Sequence, residues 1–169
     1  LAIPLIIALF IKRDYAVERE ILIEKSKSEV FDYVKYLKNQ NNFSVWAKMD
    51  PNMKTKFIGT DGNVGFVSSW SSDSKDVGKG EQEIKKIVDG QRIDYEIRFL
   101  EPFASVAPAY MVFESFGESQ TRVKWGFQGR MPYPFNIFKL FMNVEDMIGN
   151  DLSTGLSNLK MILENDHQH

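Results

Sequence analysis

Between Met53 and Met131 apolar and polar residues alternate from turn to turn, and no helical period interrupts them. The pattern predicts six strands, at residues 54–60, 64–72, 78–88, 92–100, 105–116 and 121–131. Asp61-Gly62-Asn63, Asp89-Gly90 and Gly117-Glu118-Ser119 supply the turn chemistry of tight hairpins. A seventh strand comes first, at residues 15–24, where Val17, Ile21 and Ile23 alternate with Glu18, Glu20 and Glu24. Two short helices are expected between it and the other six. Ser26 or Ser28 caps the first, which carries Val30, Phe31, Val34 and Leu37 at helical spacing, with Glu29 placed as a capping-box partner and Asn39 to Asn42 as its stop. Phe43, Val45 and Trp46 form the second, before Asp50-Pro51 breaks it. From Asn136 to Glu164 one long helix is expected, with Ile137, Phe141, Val144, Ile148, Leu152, Gly155, Leu159 and Ile162 on a single stripe. The whole reads as an α+β chain: a curved antiparallel sheet of seven strands gripping a C-terminal helix, with a pocket between them.

Short connections make sequence neighbours antiparallel neighbours, so the period of two assigns faces. Phe66, Ser68, Trp70, Gln82, Ile84, Ile93, Tyr95, Ile97, Phe99, Val123, Trp125 and Phe127 point inward; Lys85, Arg92, Asp94, Glu96, Arg98, Arg122 and Lys124 point to water. Gly155 in the middle of the long helix implies close approach of its backbone to the sheet, since glycine there costs up to ~1 kcal/mol against alanine. Phe138, Leu140, Met142 and Met147 widen the apolar surface of the helix's first half beyond one stripe.

The chain opens on an apolar run, residues 1–11, broken only by Pro4 and closed by Lys12-Arg13-Asp14. A helix of that length covers about half of a ~30 Å hydrocarbon core. Residues 1–13 are therefore expected to be the remnant of an N-terminal membrane anchor or signal segment, residues 14–165 the folded domain and residues 166–169 a frayed tail. The expected location is membrane-anchored, with the side of the membrane open.

At 169 residues with 43% hydrophobic content the chain holds enough apolar material for one domain core. A net charge of −2 offers no basic field, so no nucleic-acid partner is expected. There is no cysteine, which excludes disulfides, thiolate metal sites and cysteine nucleophiles. His167 and His169 are the only histidines and both lie in the tail, so neither a Ser-His-Asp arrangement nor a histidine metal site is expected in the core. Gly78-Lys79-Gly80 follows no strand-to-helix turn and reads as the start of a strand, so it is not a phosphate loop. No cofactor is expected.

Several segments resemble the START-like superfamily, in its polyketide cyclase/dehydrase and lipid transport (SRPBCC) branch. They are Val64-Gly65 leading to Trp70, Gly78-Lys79-Gly80-Glu81, Arg92-Ile93-Asp94-Tyr95 with Pro102-Phe103, Thr121-Arg122-Val123-Lys124-Trp125, and Gly155-Leu156-Ser157-Asn158-Leu159-Lys160. The resemblance covers residues 15–164 and implies the helix-grip fold. It also implies a cavity entrance built from residues 71–77, 101–104 and 132–135, running into Phe138 and Phe141.

The expected ligand site is Phe66, Trp70, Gln82, Tyr95, Ile97, Phe99, Trp125, Phe127 and Phe141, an apolar wall with a few orienting polar atoms. No catalytic residue is identified. Glu114 lies on a strand apolar on both faces and is read as outward; a register change of one residue would bury it. Glu145 and Asp146 on the long helix are read the same way. Two functions fit these residues: a binding or carrier domain for a hydrophobic, lipid-like molecule, and a polyketide cyclase or dehydratase using the same cavity.

Overall fold

The computed structural model describes residues 2–165; the expected tail at 166–169, with both histidines, lies outside them, as does Leu1. Seven antiparallel strands, β1 (Asp14–Ile23), β2 (Lys54–Ile58), β3 (Val67–Ser71), β4 (Lys79–Val88), β5 (Arg92–Glu101), β6 (Ser105–Ser115) and β7 (Thr121–Arg130), form one sheet in the order β1-β7-β6-β5-β4-β3-β2. Consecutive strands from β2 to β7 are hairpin neighbours. The first strand instead crosses the sheet to pair with the last, Val17 opposite Phe127. The sheet register places Ile84, Ile93, Met111, Phe113, Val123 and Trp125 on the buried face. On the other face the expected charges form ion pairs, with Arg98 at the centre of Glu81, Glu83 and Glu96 at 2.7, 2.7 and 2.6 Å. Glu114 sits on that outward face, 3.3 Å from Lys124.

Helix α1 spans Ile3–Phe10, α2 Lys27–Val34, α3 Gln40–Phe43 and α4 Val144–Glu164. The capping box of α2 is formed: the Ser26 hydroxyl accepts from the Glu29 N–H, and the Glu29 carboxylate accepts from the Ser26 N–H at 3.1 Å. Asn39 to Asn42 do not simply end a helix. Leu37–Asn39 makes a 3-10 turn whose first N–H groups, Leu37 and Lys38, donate to the Asp61 carboxylate at 2.7 and 3.0 Å, and α3 follows directly. Trp46–Lys48 makes another 3-10 turn.

The long helix begins later than the apolar stripe predicts. Phe135–Leu140 is a 3-10 turn, and α4 starts at Val144 with Asn143 as its cap; the Asn143 side chain accepts from the Asp146 N–H at 3.1 Å. A cap residue sits outside helical geometry (Asn143 has φ −82° and ψ 83°), so residues 136–164 cannot be one helix. From Ile148 onward the stripe does face the sheet: Leu152, Gly155 and Leu159 are buried, and Leu156 and Leu163 beside it are buried as well. Gly155 is where helix and sheet touch: a Cβ there would stand 2.7 Å from Cζ3 of Trp125. The far end of α4 is tied to the end of β1, where the Lys160 ammonium donates to the Leu22 carbonyl at 2.8 Å and the Glu164 carboxylate accepts from the Glu24 N–H at 2.8 Å.

The apolar N-terminal run forms α1, and its last turn rests on the 3-10 turn before α4. Asn136, wholly buried, donates to the carbonyls of Ala8 and Ile11 at 2.7 and 2.8 Å, and Ala8 is buried beside it. The remaining side chains of α1 are open to solvent, Phe10 most of all at 85%. Among the described residues no helix is long and apolar enough to cross a membrane.

Candidate ligand-binding cavity

A cavity of about 410 Å³ lies between the concave face of the sheet and α4. That size suits a small organic molecule. Six of the nine expected residues wall it: Trp70, Gln82, Ile97, Phe99, Trp125 and Phe127. They come together because each faces inward on β3, β4, β5 or β7, and the antiparallel register brings them to one level, with Gln82 opposite Ile97 and Ala109 opposite Phe127.

Two tryptophans shape the wall. The Trp70 indole lies across Gly80 of the neighbouring strand, where a Cβ would be 2.4 Å from its Cζ2. Its N–H donates to the Val77 carbonyl at 3.3 Å, and Phe99 meets its ring edge-on with centroids 6.0 Å apart. Glycine on β4 therefore makes room for the ring, and the ring holds the β3–β4 loop. Trp125 is met edge-on by Phe43 at 5.6 Å and by Trp46 at 6.0 Å, so α3 and the turn after it steady the wall from the side. The β3–β4 loop has a second tether, since the Ser72 hydroxyl donates to the Asp50 carboxylate and accepts from the Ser74 N–H. That hydroxyl, together with the Asn52 N–H, holds the Asp50 carboxyl below its usual range.

Three expected residues lie elsewhere. Phe66 is buried in the core, stacked on Phe57 with centroids 6.0 Å apart, and does not reach the cavity. Tyr95 is buried and is not among the lining residues. Phe141 is 78% exposed, because the break between the 3-10 turn and α4 turns it out of the apolar stripe. Glu114, Glu145 and Asp146 are not among the lining residues.

The periodic reading also misses one side of the cavity. Gln40, Asn41, Ser44, Trp46, Ala47, Met49 and Met53 line it from the segment between the first two strands. This stretch is a short helix, a 3-10 turn and loop, with no period for a face to be read from. Met49 and Met53, apolar residues outside any regular element, were the available signal. Tyr15, at the start of β1, adds its ring from the other side, 6.2 Å from Phe127, and burial raises its phenol above the ordinary range.

Gln40 and Tyr95 form one polar pair of the interior. Gln40 is only 7% exposed, and its amide is the polar neighbour of the Tyr95 hydroxyl. The two groups lie close enough to interact but off hydrogen-bond geometry, so neither Gln40 Nε2 nor the Tyr95 hydroxyl completes a hydrogen bond with the described residues. Burial pushes the Tyr95 phenol far above its ordinary value, so it is neutral at any working pH.

No family model and no curated protein matches the sequence. Solved structures do. Truncated norcoclaurine synthase from Thalictrum flavum superposes with a TM-score of 0.69 at 11% identity, over 92% of this chain and 96% of that one; the same enzyme has been solved with dopamine and hydroxybenzaldehyde. A protein from Thermus thermophilus gives 0.65 at 16% identity, over 91% of this chain and 100% of that one. The Aha1 dimer from Colwellia psychrerythraea gives 0.58 at 13% identity, over 89% and 96%. At such identities the likeness establishes the fold, which is the helix-grip fold that the sequence segments imply.

Proposed function

We propose that this helix-grip chain is a binding or carrier domain for an apolar or amphipathic small molecule held in the cavity, and that it works at a membrane surface. The observation that carries the first part is the lining. Aromatic and aliphatic side chains supply most of it, with several neutral polar groups and one carboxylate, Asp76, among them, as in small-molecule sites generally. The second part is supported by the surface around one end of the sheet. There α1 exposes Ile3, Ile6, Leu9 and Phe10, and the neighbouring turn exposes Phe135, Phe138, Leu140, Phe141 and Met142. Phe103 of the β5–β6 turn continues the same surface, its ring 5.6 Å from that of Phe135. Soluble monomers seldom carry so many large apolar groups together. Lys12, Arg13 and Lys139 stand at its edge; the Lys139 ammonium donates to the Lys12 and Asp14 carbonyls at 3.1 Å, and the Arg13 guanidinium lies 5.8 Å from the centre of the Tyr133 ring. Apolar groups set among basic ones suit the interface of an anionic bilayer.

Titration with phenylnaphthylamine, a neutral apolar fluorophore, tests the cavity, with Ile97→Trp as the blocking variant. Saturable binding to the parent and its loss in the variant, with little change in melting temperature, is the expected result; a probe-blind parent together with a destabilised variant would show a packed core. Sedimentation with vesicles of phosphatidylcholine and phosphatidylglycerol tests the surface. Binding should be lost when Phe10, Phe138 and Phe141 are all replaced by Ser, exposed positions whose change leaves the core intact. Equal sedimentation of the two proteins would refute the membrane reading and leave the cavity reading standing.

A further inference from the structure

We infer that the cavity selects an uncharged ligand and takes one of its oxygens as a hydrogen-bond acceptor at Gln40, an inference that rests on the cavity being a ligand site. Two observations meet at this point. The first is the surplus of donors. Gln40 opens α3, lies on the cavity wall and is more than nine-tenths buried, yet its Nε2 has no partner among the described residues. The Tyr95 hydroxyl beside it is likewise unpartnered. Turned over, the amide accepts from the Tyr95 O–H through its oxygen, which satisfies both groups, and its two N–H donors are then the ones left without an acceptor on the cavity wall. A buried donor left without an acceptor costs free energy that an incoming oxygen would return. A carbonyl, ester or ether oxygen placed against Gln40 completes the set.

The second observation is the sign of the surroundings. Asn41, Ser44, Thr55, Ser68 and Gln82 are the other hydrogen-bonding side chains of the wall apart from Tyr15 and the tryptophans, and all are neutral. Asp76 is the one formally charged residue of the lining; among the described residues no Lys, Arg or His contributes to it. An anionic head, such as a free carboxylate, would lose its water there without gaining a counter-charge, and would face Asp76 as well. The geometry thus fits a ligand with an apolar body and a neutral acceptor, and it disfavours a free fatty acid.

Three fluorophores separate these claims in the intact chain. Phenylnaphthylamine has no oxygen, anilinonaphthalene sulfonate is the same skeleton with an anionic group, and prodan is a neutral naphthalene ketone. The parent should bind phenylnaphthylamine roughly tenfold or more tightly than the sulfonate, a difference of about 1.4 kcal/mol or more. Gln40→Met should weaken prodan by about five- to tenfold, the worth of one hydrogen bond. It should also shift the emission of bound prodan to the blue, weaken prodan more than phenylnaphthylamine and not lower the melting temperature. Tyr95→Phe, which keeps the ring, checks the same donor set should Gln40→Met fold poorly, and should shift prodan emission in the same direction. Prodan affinity and emission indifferent to both changes, or a parent that prefers the sulfonate, would overturn the inference while phenylnaphthylamine binding upheld the cavity. A parent that binds none of the three would overturn both.

Discussion

Replacing Gly155 by Ala tests how tightly α4 is pressed against the wall of the cavity. At an open helix position the change would stabilise the protein by about 1 kcal/mol, because alanine is the better helix former. Here the added methyl would sit 2.7 Å from Cζ3 of Trp125 and 3.4 Å from the Phe43 carbonyl, and the first of these separations is too short to persist. Trp125 cannot yield toward Phe43 and Trp46, whose rings already meet its edges. Overpacking of this kind costs about 1–3 kcal/mol. Set against the helix gain, the net is a loss of about 1 kcal/mol, which for a chain of this size lowers the melting temperature by about 2–4 °C. The free direction for the indole is into the cavity it lines, so phenylnaphthylamine affinity should fall in the same variant. Calorimetric melting and probe titration on one preparation give both numbers. A variant that melts several degrees higher than the parent with unchanged probe affinity would refute the reasoning, for it would mean that helix and wall are not in contact at Gly155.

The outer face and the N-terminal helix give two further predictions. Arg98→Met should destabilise the protein by roughly 1–2 kcal/mol, since it leaves Glu81, Glu83 and Glu96 facing one another on adjacent strands, half-exposed and partly screened. The same variant should flatten the loss of stability in acid. Arg98 holds the Glu83 carboxyl below its ordinary value of 4.5, so the unfolded chain takes up the proton first; the stabilisation is complete above that value and disappears as pH falls through the depressed one. Chemical denaturation between pH 3 and 7 measures the slope, and parallel slopes for parent and variant would contradict the assignment. Asn136→Ala should release α1, because it deletes both hydrogen bonds to Ala8 and Ile11 and opens a buried site. Hydrogen exchange at residues 6–10 should accelerate by at least tenfold, while the strands keep their protection; unchanged exchange there would show that α1 is held by something else.

The strands were legible because a half-buried strand writes its two faces as a period of two, and six of the wall residues follow from that alone. The charged residues opposite them, Arg98 and Lys124 among them, follow by the same rule. Gly155 was legible for a different reason: a glycine in a helix interior needs a compensation, and close approach to the sheet is the one found. The apolar first half of the expected long helix was equally visible, but not its geometry. Asn143 can sit inside a helix or cap one; here it caps, and the turn before it is held through Asn136 to α1, two segments more than a hundred residues apart.

What the sequence by itself determined, then, is the order of elements, the antiparallel pairing and the identity of the inward face, all consequences of local period and short connections. The tertiary structure alone decided which inward residues meet empty space and which meet one another. Phe66 and Tyr95 obey the same alternation as Trp70 and Ile97, yet Phe66 stacks on Phe57, and Tyr95 lies beside Gln40, out of the cavity. Residues 40–53 supply one side of the cavity wall, and that segment has no repeat to announce it. A cavity is space that side chains from distant elements fail to fill, so it exists only once all of them are in place.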